Sequence, residues 1–133
     1  MNAVFLDTVG LLALWDVADQ WHAAAEAAYQ AIVARRRPFV TTTFVLLECG
    51  NAAARRPYRA EVGVLRRTLE QRQELIRPTE QDWTETWEAY ERGDAGQAGI
   101  VDHVSFAVMR RLGLTQAFTN DRHFRTAGFE PLF

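Results

Sequence analysis

The chain contains no lysine, so all 15 of its basic residues are arginine. Arginine is well suited to bidentate contact with phosphate or carboxylate groups, although a biased genome composition explains an arginine-only chain equally well. Against 17 acidic residues the formal net charge is −2, and the pI is near 5.9. The overall charge therefore argues against strong non-specific binding of nucleic acid.

Cysteine is nearly absent as well. Cys49 is the single cysteine of the sequence, which excludes an internal disulfide and favours a reducing cytoplasm. No apolar run approaches the roughly 20 residues that a membrane-spanning helix needs. The N-terminus also lacks the basic start and cleavage signature of a signal peptide. We therefore predict a cytoplasmic protein with no membrane partner.

The length and composition are those of an ordinary globular domain. The chain has 133 residues, of which 48% are hydrophobic and 24% are charged. No repeat, low-complexity segment or linker divides it. We predict one domain over residues 1–133.

Short apolar segments alternate with longer amphipathic segments along the chain. The short ones predict strands at residues 3–6, 39–41, 75–76, 116–119 and 131–133. The longer ones predict helices at residues 9–15, 20–34, 58–74, 79–92 and 100–112, and one more that carries Glu48. This alternation indicates a parallel sheet with helices on both faces.

Several polar residues stand where these helices should begin or end. Asp19 is predicted to cap the helix at residues 20–34, and Thr42 or Thr43 the helix that carries Glu48. Thr79 with Asp82 resembles a capping box.

Four carboxylates stand where apolar segments begin, continue or end: Asp7, Glu48, Asp102 and Asp121. Asp7 and Asp121 directly follow predicted strands, and ligands of open parallel sheets bind beyond the carboxyl ends of the strands. Glu48, on the helix after the second strand, can reach the same edge. Acids gathered in one cleft cannot all stay ionised without cations, so the pattern suggests a metal site.

Each acid also has a purely structural alternative. Asp7 could cap the helix that follows it, and Asp102 could interact with the dipole of the helix that it opens. Asp121 could form an Asx turn. Glu48 is harder to dismiss, because its apolar neighbours predict a partly buried carboxylate, which needs a partner or a metal.

The acids suit magnesium or manganese, which are hard cations that prefer oxygen ligands. The histidines have no spacing of the zinc type: His22, His103 and His123. His103 neighbours Asp102, and we expect it behind the metal ligands or in solvent. One or two such metals lower the pKa of a water and stabilise the leaving oxygen of a phosphodiester. The acids alone would repel nucleic acid, and a bound metal would offset their charge. A metal-dependent nuclease therefore reconciles an acidic pocket with an anionic substrate.

Four motifs resemble those of PIN-domain proteins, in particular the small ribonuclease toxins of the VapC type. They are VFLDT at residues 4–8, TTTFVLLE at 41–48, DHVSFAVM at 102–109 and FTNDRHF at 118–124. The similarity spans nearly the whole chain. Single motifs of this kind are weak, but the four occur in order at the expected spacing.

The resemblance implies a fold, an activity and partners. The fold is α/β, a Rossmann-like three-layer α/β/α sandwich with a central parallel sheet. The activity is RNA cleavage by a metal-activated water, with Mg²⁺ or Mn²⁺ bound by the catalytic acids Asp7, Glu48, Asp102 and Asp121. Thr8 and Thr119 match positions that support such a site by hydrogen bonds. A cognate antitoxin usually inhibits these enzymes and dimers are common, so we expect an antitoxin partner and a homodimer.

Two arginines are candidates for contact with substrate phosphates. Arg55 follows Glu48 by seven residues, on about the same face of the predicted helix. Arg122 adjoins Asp121. Either side chain could instead be solvated or form a surface ion pair.

The function that the sequence favours is a metal-dependent endoribonuclease, the toxin of a type II toxin–antitoxin pair. A phosphatase of the haloacid dehalogenase type also begins with a strand that ends in Asp. That chemistry needs a second acid two residues later, where this chain has Val9. The remaining alternative is a non-catalytic PIN-like module that binds RNA or protein, and the complete set of acids argues against it.

Overall fold

Five short strands form one sheet in the computed structural model, which describes residues 2–133. They are β1 (Val4–Leu6), β2 (Phe39–Thr42), β3 (Leu75–Ile76), β4 (Gln116–Phe118) and β5 (Glu130–Pro131). Every neighbouring pair is parallel, and the order across the sheet is β3-β2-β1-β4-β5. The chain moves outward in one direction from β1 to β3 and in the other from β4 to β5. The carboxyl ends of β1 and β4 therefore flank a switch point, where α/β proteins bind ligands.

Seven helices occur within this part of the chain. They are α1 (Thr8–Trp15), α2 (His22–Ala34), α3 (Thr43–Ala53), α4 (Arg59–Gln71), α5 (Glu80–Arg92), α6 (Ile100–Leu112) and α7 (Arg122–Thr126). The predicted α/β sandwich around a central parallel sheet is confirmed. No helix in residues 2–133 is both long enough and apolar enough to cross a bilayer.

Three details of the predicted elements were wrong. The N-cap of α2 is Trp21 rather than Asp19, because the carboxylate of Asp19 accepts a hydrogen bond from the Trp21 amide, before the helix begins at His22. Helix α4 ends at Gln71 instead of continuing to the third strand, because Gln73 has a φ of 57° that no helix accommodates. The five-residue α7 was not predicted.

Aromatic rings fill the centre of the molecule. Phe5, Phe106, Phe118 and Phe124 are among the largest fully buried side chains, and each contributes about 2–3 kcal/mol by leaving water. The rings of Phe106 and Phe124 meet edge to face at 4.9 Å, which joins α6 to α7. Helix α6 is buried over seven consecutive residues from His103 to Met109. Its N-terminus is thereby fixed against the rest of the core.

The first turn of α1 lies directly against the backbone of β4. A Cβ atom placed on Gly10 would come within 2.0 Å of the Phe118 carbonyl oxygen. Only glycine permits this approach without moving the helix or the strand. The close contact holds the residues after β1 beside the residues after β4.

Candidate active site

Asp7 ends β1 and occupies the N-cap position of α1, but its side chain makes no capping hydrogen bond. Its Oδ2 instead accepts a hydrogen bond of 2.8 Å from the hydroxyl of Thr119, which follows β4. The residue is 2% exposed. Burial raises the pKa of Asp7 to about 7, with the Thr119 hydroxyl opposing and the charges of Asp102 and Asp121 adding to the rise. The chain thus keeps a carboxyl group where its ionised form is unfavourable.

Glu48 projects from α3 and is half-buried. Its Oε1 accepts a short hydrogen bond of 2.6 Å from the hydroxyl of Thr8, the first residue of α1. Thr8 and Thr119 therefore each hold one carboxylate through a neutral hydroxyl. A neutral donor orients a carboxylate without cancelling its charge.

Asp102 lies in the first turn of α6. Its Oδ2 accepts a hydrogen bond of 3.2 Å from the Gly99 amide, as expected of an acid at a helix N-terminus. Burial, together with the charges of Asp121 and Glu48, raises the pKa of Asp102 to about 6 against the opposing hydrogen bond from the Gly99 amide. The helix-terminal interaction and the crowding with other acids are both present at this residue.

Asp121 is the N-cap of α7, and its Oδ1 accepts a hydrogen bond of 2.9 Å from the His123 amide. The Asp121 amide in turn donates to the Thr119 hydroxyl at 3.1 Å. Thr119 therefore donates to one acid of the cluster and accepts from the backbone of another. The Asx turn that was the structural alternative for Asp121 is present, but its side chain also lies close to that of Asp102.

His123 is the residue that sequence reasoning missed. One ligand atom each from Asp102, Asp121 and His123 can be chosen so that all three lie within 4.8 Å of one another. The Nδ1 atom of His123 is 2.9 Å from Asp121 Oδ1. The sequence signal was the position of His123, two residues after Asp121. The first turn of a helix brings a residue at this position close to the N-cap residue.

The expectation for His103 was wrong. Its side chain is 3% exposed and packs edge-on against the rings of Tyr90 and Phe106. Burial lowers the pKa of this imidazole. Although it follows Asp102 in sequence, it turns into the core because successive helical residues point about 100° apart.

The acid cluster has little positive charge of its own. Across residues 2–133 no arginine forms an ion pair with any of the four acids, and His123 pairs with Asp121 alone. The charges of neighbouring acids help to raise the pKa of Asp7 and of Asp102, and carboxylate oxygens are the hard donors that a divalent cation prefers. The chemistry of the residues therefore fits a magnesium-type or manganese-type ion.

Residues 4–130 match the family described as "PIN domain". The chain belongs to the PIN-domain family. The resemblance seen in the four motifs is thereby confirmed.

This PIN-domain chain is similar to one curated relative and to two solved structures. The 23S rRNA-specific endonuclease VapC20 of Mycobacterium tuberculosis is 30% identical over 131 residues, which cover 95% of each protein. The crystal structure of VapC20, described as a sarcin–ricin loop cleaving toxin, superposes with a TM-score of 0.78 at 27% identity over 95% of each chain. The FitAcB structure from Neisseria gonorrhoeae is 16% identical with a TM-score of 0.66, covering 98% of this chain and 96% of that one. The second structure shows the shared fold alone.

The two candidate phosphate-binding arginines of the PIN-domain chain differ in position. Helix α3 ends at Ala53, so the exposed Arg55 lies in the turn beyond it. The prediction that Arg55 shares a helical face with Glu48 was therefore wrong. Arg122 is the exposed first residue of α7, directly after Asp121. Contact of either residue with a phosphate stays a prediction.

A groove of about 330 Å³ opens elsewhere on the molecule, between α1, α2 and α4. Its apolar lining includes Leu11, Trp15, Val33 and Leu65, and none of the four acids lines it. This surface is therefore available for a contact that is separate from the acid pocket.

Proposed function

We propose that this PIN-domain chain is a metal-dependent endoribonuclease that hydrolyses RNA phosphodiester bonds and acts as the toxin of a type II toxin–antitoxin pair. The single observation that carries the proposal is the cluster in which Asp7 and Asp102 are crowded by further acids and form no ion pair with an arginine. The relation to VapC20, named as a 23S rRNA-specific endonuclease, supports RNA as the substrate.

The proposed cofactor is Mg²⁺ or Mn²⁺, held by carboxylate oxygens of Asp7, Glu48, Asp102 and Asp121. A bound divalent ion of this kind activates a water and offsets the charge that develops on the phosphodiester. Thr119 holds Asp7 and the backbone of Asp121 at fixed positions, and Thr8 holds Glu48. These hydrogen bonds hold the carboxylates of Asp7 and Glu48 in position before an ion is bound.

Arg122 is proposed to contact a phosphate of the RNA. It is exposed, it adjoins Asp121, and the structure gives it no carboxylate partner among residues 2–133. An arginine at the rim of an acid pocket attracts an anionic chain that the acids themselves repel. Arg55 is the weaker candidate, because it lies in the turn beyond α3 and not on the helix that carries Glu48.

The proposed partners are a cognate antitoxin and a second copy of the chain. The apolar groove between α1, α2 and α4 supports binding of another protein, and so does the row of exposed rings on α5. Trp83, Trp87 and Tyr90 remain 49%, 38% and 46% exposed, and aromatic residues are enriched at protein interfaces. Light scattering of the purified protein and copurification with the product of an adjacent reading frame test these two partners.

The nuclease is tested with purified protein, an RNA oligonucleotide that carries a sarcin–ricin loop, and total RNA. We expect cleavage with Mg²⁺ or Mn²⁺, no cleavage after chelation, and loss of cleavage in Asp102→Asn. Asp94→Asn is the matched control, since Asp94 is an exposed acid whose partner is Arg92. Cleavage that persists in Asp102→Asn without metal would reject the proposal.

The same experiment separates the alternative of a non-catalytic binding module. A module binds RNA or protein but leaves RNA intact with every divalent ion, and its metal affinity at near-neutral pH is negligible. Titration calorimetry with Mn²⁺ therefore distinguishes the two functions independently of the choice of RNA. We also propose that residues 1–133 form one domain, which predicts a single cooperative unfolding transition.

A further inference from the structure

The imidazole of His123 lies close to two of the acids, and the proposed function assigns it no role. Ligand atoms of Asp102, Asp121 and His123 lie within 4.8 Å of one another, and the part of the chain that the structure describes holds no other such trio of His, Cys, Asp or Glu side chains. The side chain of His123 is 39% exposed and that of Asp121 is 20% exposed. An ion that enters from solvent can therefore reach all three groups.

The other two imidazoles have partners away from the acids. His22 has its Nδ1 atom 2.9 Å from the Ala13 carbonyl oxygen and its Nε2 atom 3.5 Å from Glu26. His103 is buried and packs edge-on against the rings of Tyr90 and Phe106. The placement of His123 is thus specific to that residue and not a general feature of histidines in this chain.

We propose that His123 supplies a nitrogen ligand to the metal ion held by Asp102 and Asp121, and that this nitrogen raises the preference of the site for Mn²⁺ over Mg²⁺. The inference rests on the proposed function, because it takes the acid pocket to hold a divalent ion. Mg²⁺ requires oxygen ligands and dehydrates reluctantly. Divalent transition ions accept imidazole nitrogen, and they do so alongside carboxylate oxygen in mixed sites.

The competing role for the ring is to hold Asp121 by a hydrogen bond and to touch no ion. The His123 backbone amide already donates to Asp121 Oδ1 at 2.9 Å. The carboxylate is therefore oriented without the ring, and a second donor from the same residue adds little to its position. A ring that only positions Asp121 would influence Mg²⁺ and Mn²⁺ to the same extent.

Electron spin echo envelope modulation of Mn²⁺ bound to the intact chain tests the ligand directly, since it detects a coordinated nitrogen nucleus. We expect nitrogen modulation in the wild type, its loss in His123→Gln, and its retention in the matched control His22→Gln. In titration calorimetry, His123→Gln should weaken Mn²⁺ binding about tenfold or more, while Mg²⁺ binding stays close to that of the wild type. His123 is partly exposed, so the variant should fold, and its circular dichroism spectrum checks this.

The outcomes separate the two proposals. A wild-type protein that binds Mn²⁺ and cleaves RNA but shows no nitrogen modulation overturns the assignment of His123 and leaves the nuclease intact. An equal loss of Mg²⁺ and Mn²⁺ affinity in His123→Gln also overturns it, because the ring then only positions Asp121. A wild type that binds neither ion removes the metal-dependent function itself, and the ligand role of His123 with it.

Discussion

Asp7 and Asp82 are equally buried, at 2% and 1% exposure, yet the protein surrounds them in opposite ways. Asp7 receives a neutral hydroxyl and faces other acids, and burial raises its pKa to about 7. Asp82 receives the guanidinium of Arg111 at 2.9 Å on Oδ1 and 2.8 Å on Oδ2.

The pKa of Asp82 moves in the other direction from that of Asp7. Burial alone would raise it, but hydrogen bonds from Arg111 and Thr79 outweigh burial and lower it. Thr79 and Asp82 also form a complete capping box at the start of α5. Asp82 is therefore a structural acid, which joins α5 to α6 with its charge already balanced.

The difference shows what distinguishes a structural carboxylate from a candidate ligand. Burial does not separate them, since both are inaccessible to water. The partners of the two carboxylates separate them. A buried carboxylate without a cationic side chain beside it is unfavourable unless a bound ion supplies the positive charge. A bound ion would supply that charge to Asp7, whereas Asp82 needs none.

The largest effect expected is on activity in Asp7→Asn. The amide keeps the shape of the side chain but removes the charge, so we expect RNA cleavage to fall about a hundredfold or more. The stability of the metal-free protein should stay the same or rise, because an unbalanced buried charge is lost. Cleavage rates and urea unfolding measured on one preparation check both halves, and a variant that unfolds more easily would contradict the comparison.

The reverse pattern is expected for Arg111→Met. This change leaves Asp82 buried without its cation and should lower the free energy of unfolding by about 2 kcal/mol. Cleavage by the folded protein should be unaffected, since Asp82 is not part of the acid pocket. The double variant with Asp82→Asn should recover part of the lost stability, and a failure to recover would show that the pair is not coupled.

Stability should depend on pH in opposite senses for the two acids. Because the folded metal-free protein holds the Asp7 proton up to a pKa of about 7, against an ordinary value of 3.8, unfolding releases this proton within that window. The free energy of unfolding should therefore fall as pH rises from 4 toward 7, by up to about 1.4 kcal/mol per pH unit for each such acid. Asp82 has a lowered pKa, so its contribution is lost only as pH falls below 3.8 toward the folded value.

Denaturation series across this pH range test the assignment. Asp7→Asn should flatten the dependence of the free energy of unfolding on pH above pH 4. Asp82→Asn should flatten this dependence below pH 4 and leave it unchanged above pH 4. Saturating Mn²⁺ should also remove the upper slope, because a bound ion favours the ionised carboxylates. If the pH dependence above pH 4 is unchanged in Asp7→Asn, it arises from other groups, and Asp102 is the first to examine.

The smallest effect expected is that of Thr119→Val, which keeps the shape of the side chain and removes its hydroxyl. Loss of this donor should raise the pKa of Asp7 further, because the hydrogen bond opposes the effect of burial. It should also destabilise the protein by about 1 kcal/mol. Infrared titration of the protonated carboxyl group measures the shift, and an unchanged titration would mean that the hydroxyl does not stabilise the ionised form.

The sequence contains enough information for the sheet and for the acids at its edge. Residues of β1 are buried on both faces, so a continuous apolar run predicts it without knowledge of its neighbours. The capping box of Thr79 and Asp82 was also predicted, because its two residues are only three positions apart. Arg111, the partner that decides the role of Asp82, lies 29 residues away, and no local pattern identifies it.

The features that the sequence did not reveal depend on side chains that meet only in the fold. Helix α7 has five residues, which is too short for a periodic pattern, and its start relies on the carboxylate of Asp121. His103 and His123 look alike in sequence, each close to an acid. Their different surroundings follow from the direction of each side chain, which only the packing of α6 and α7 decides.

The hydrogen bond from Thr119 to Asp7 joins residues that lie 112 positions apart, and this separation has a consequence for synthesis of the protein. A nascent chain on the ribosome carries Asp7 and Glu48 early but cannot place β4 beside β1 until nearly all of the sequence has been translated. The proposed nuclease therefore has no complete pocket while it is being made. An N-terminal fragment left by interrupted translation would lack Thr119 and Asp121, and with them part of the proposed site.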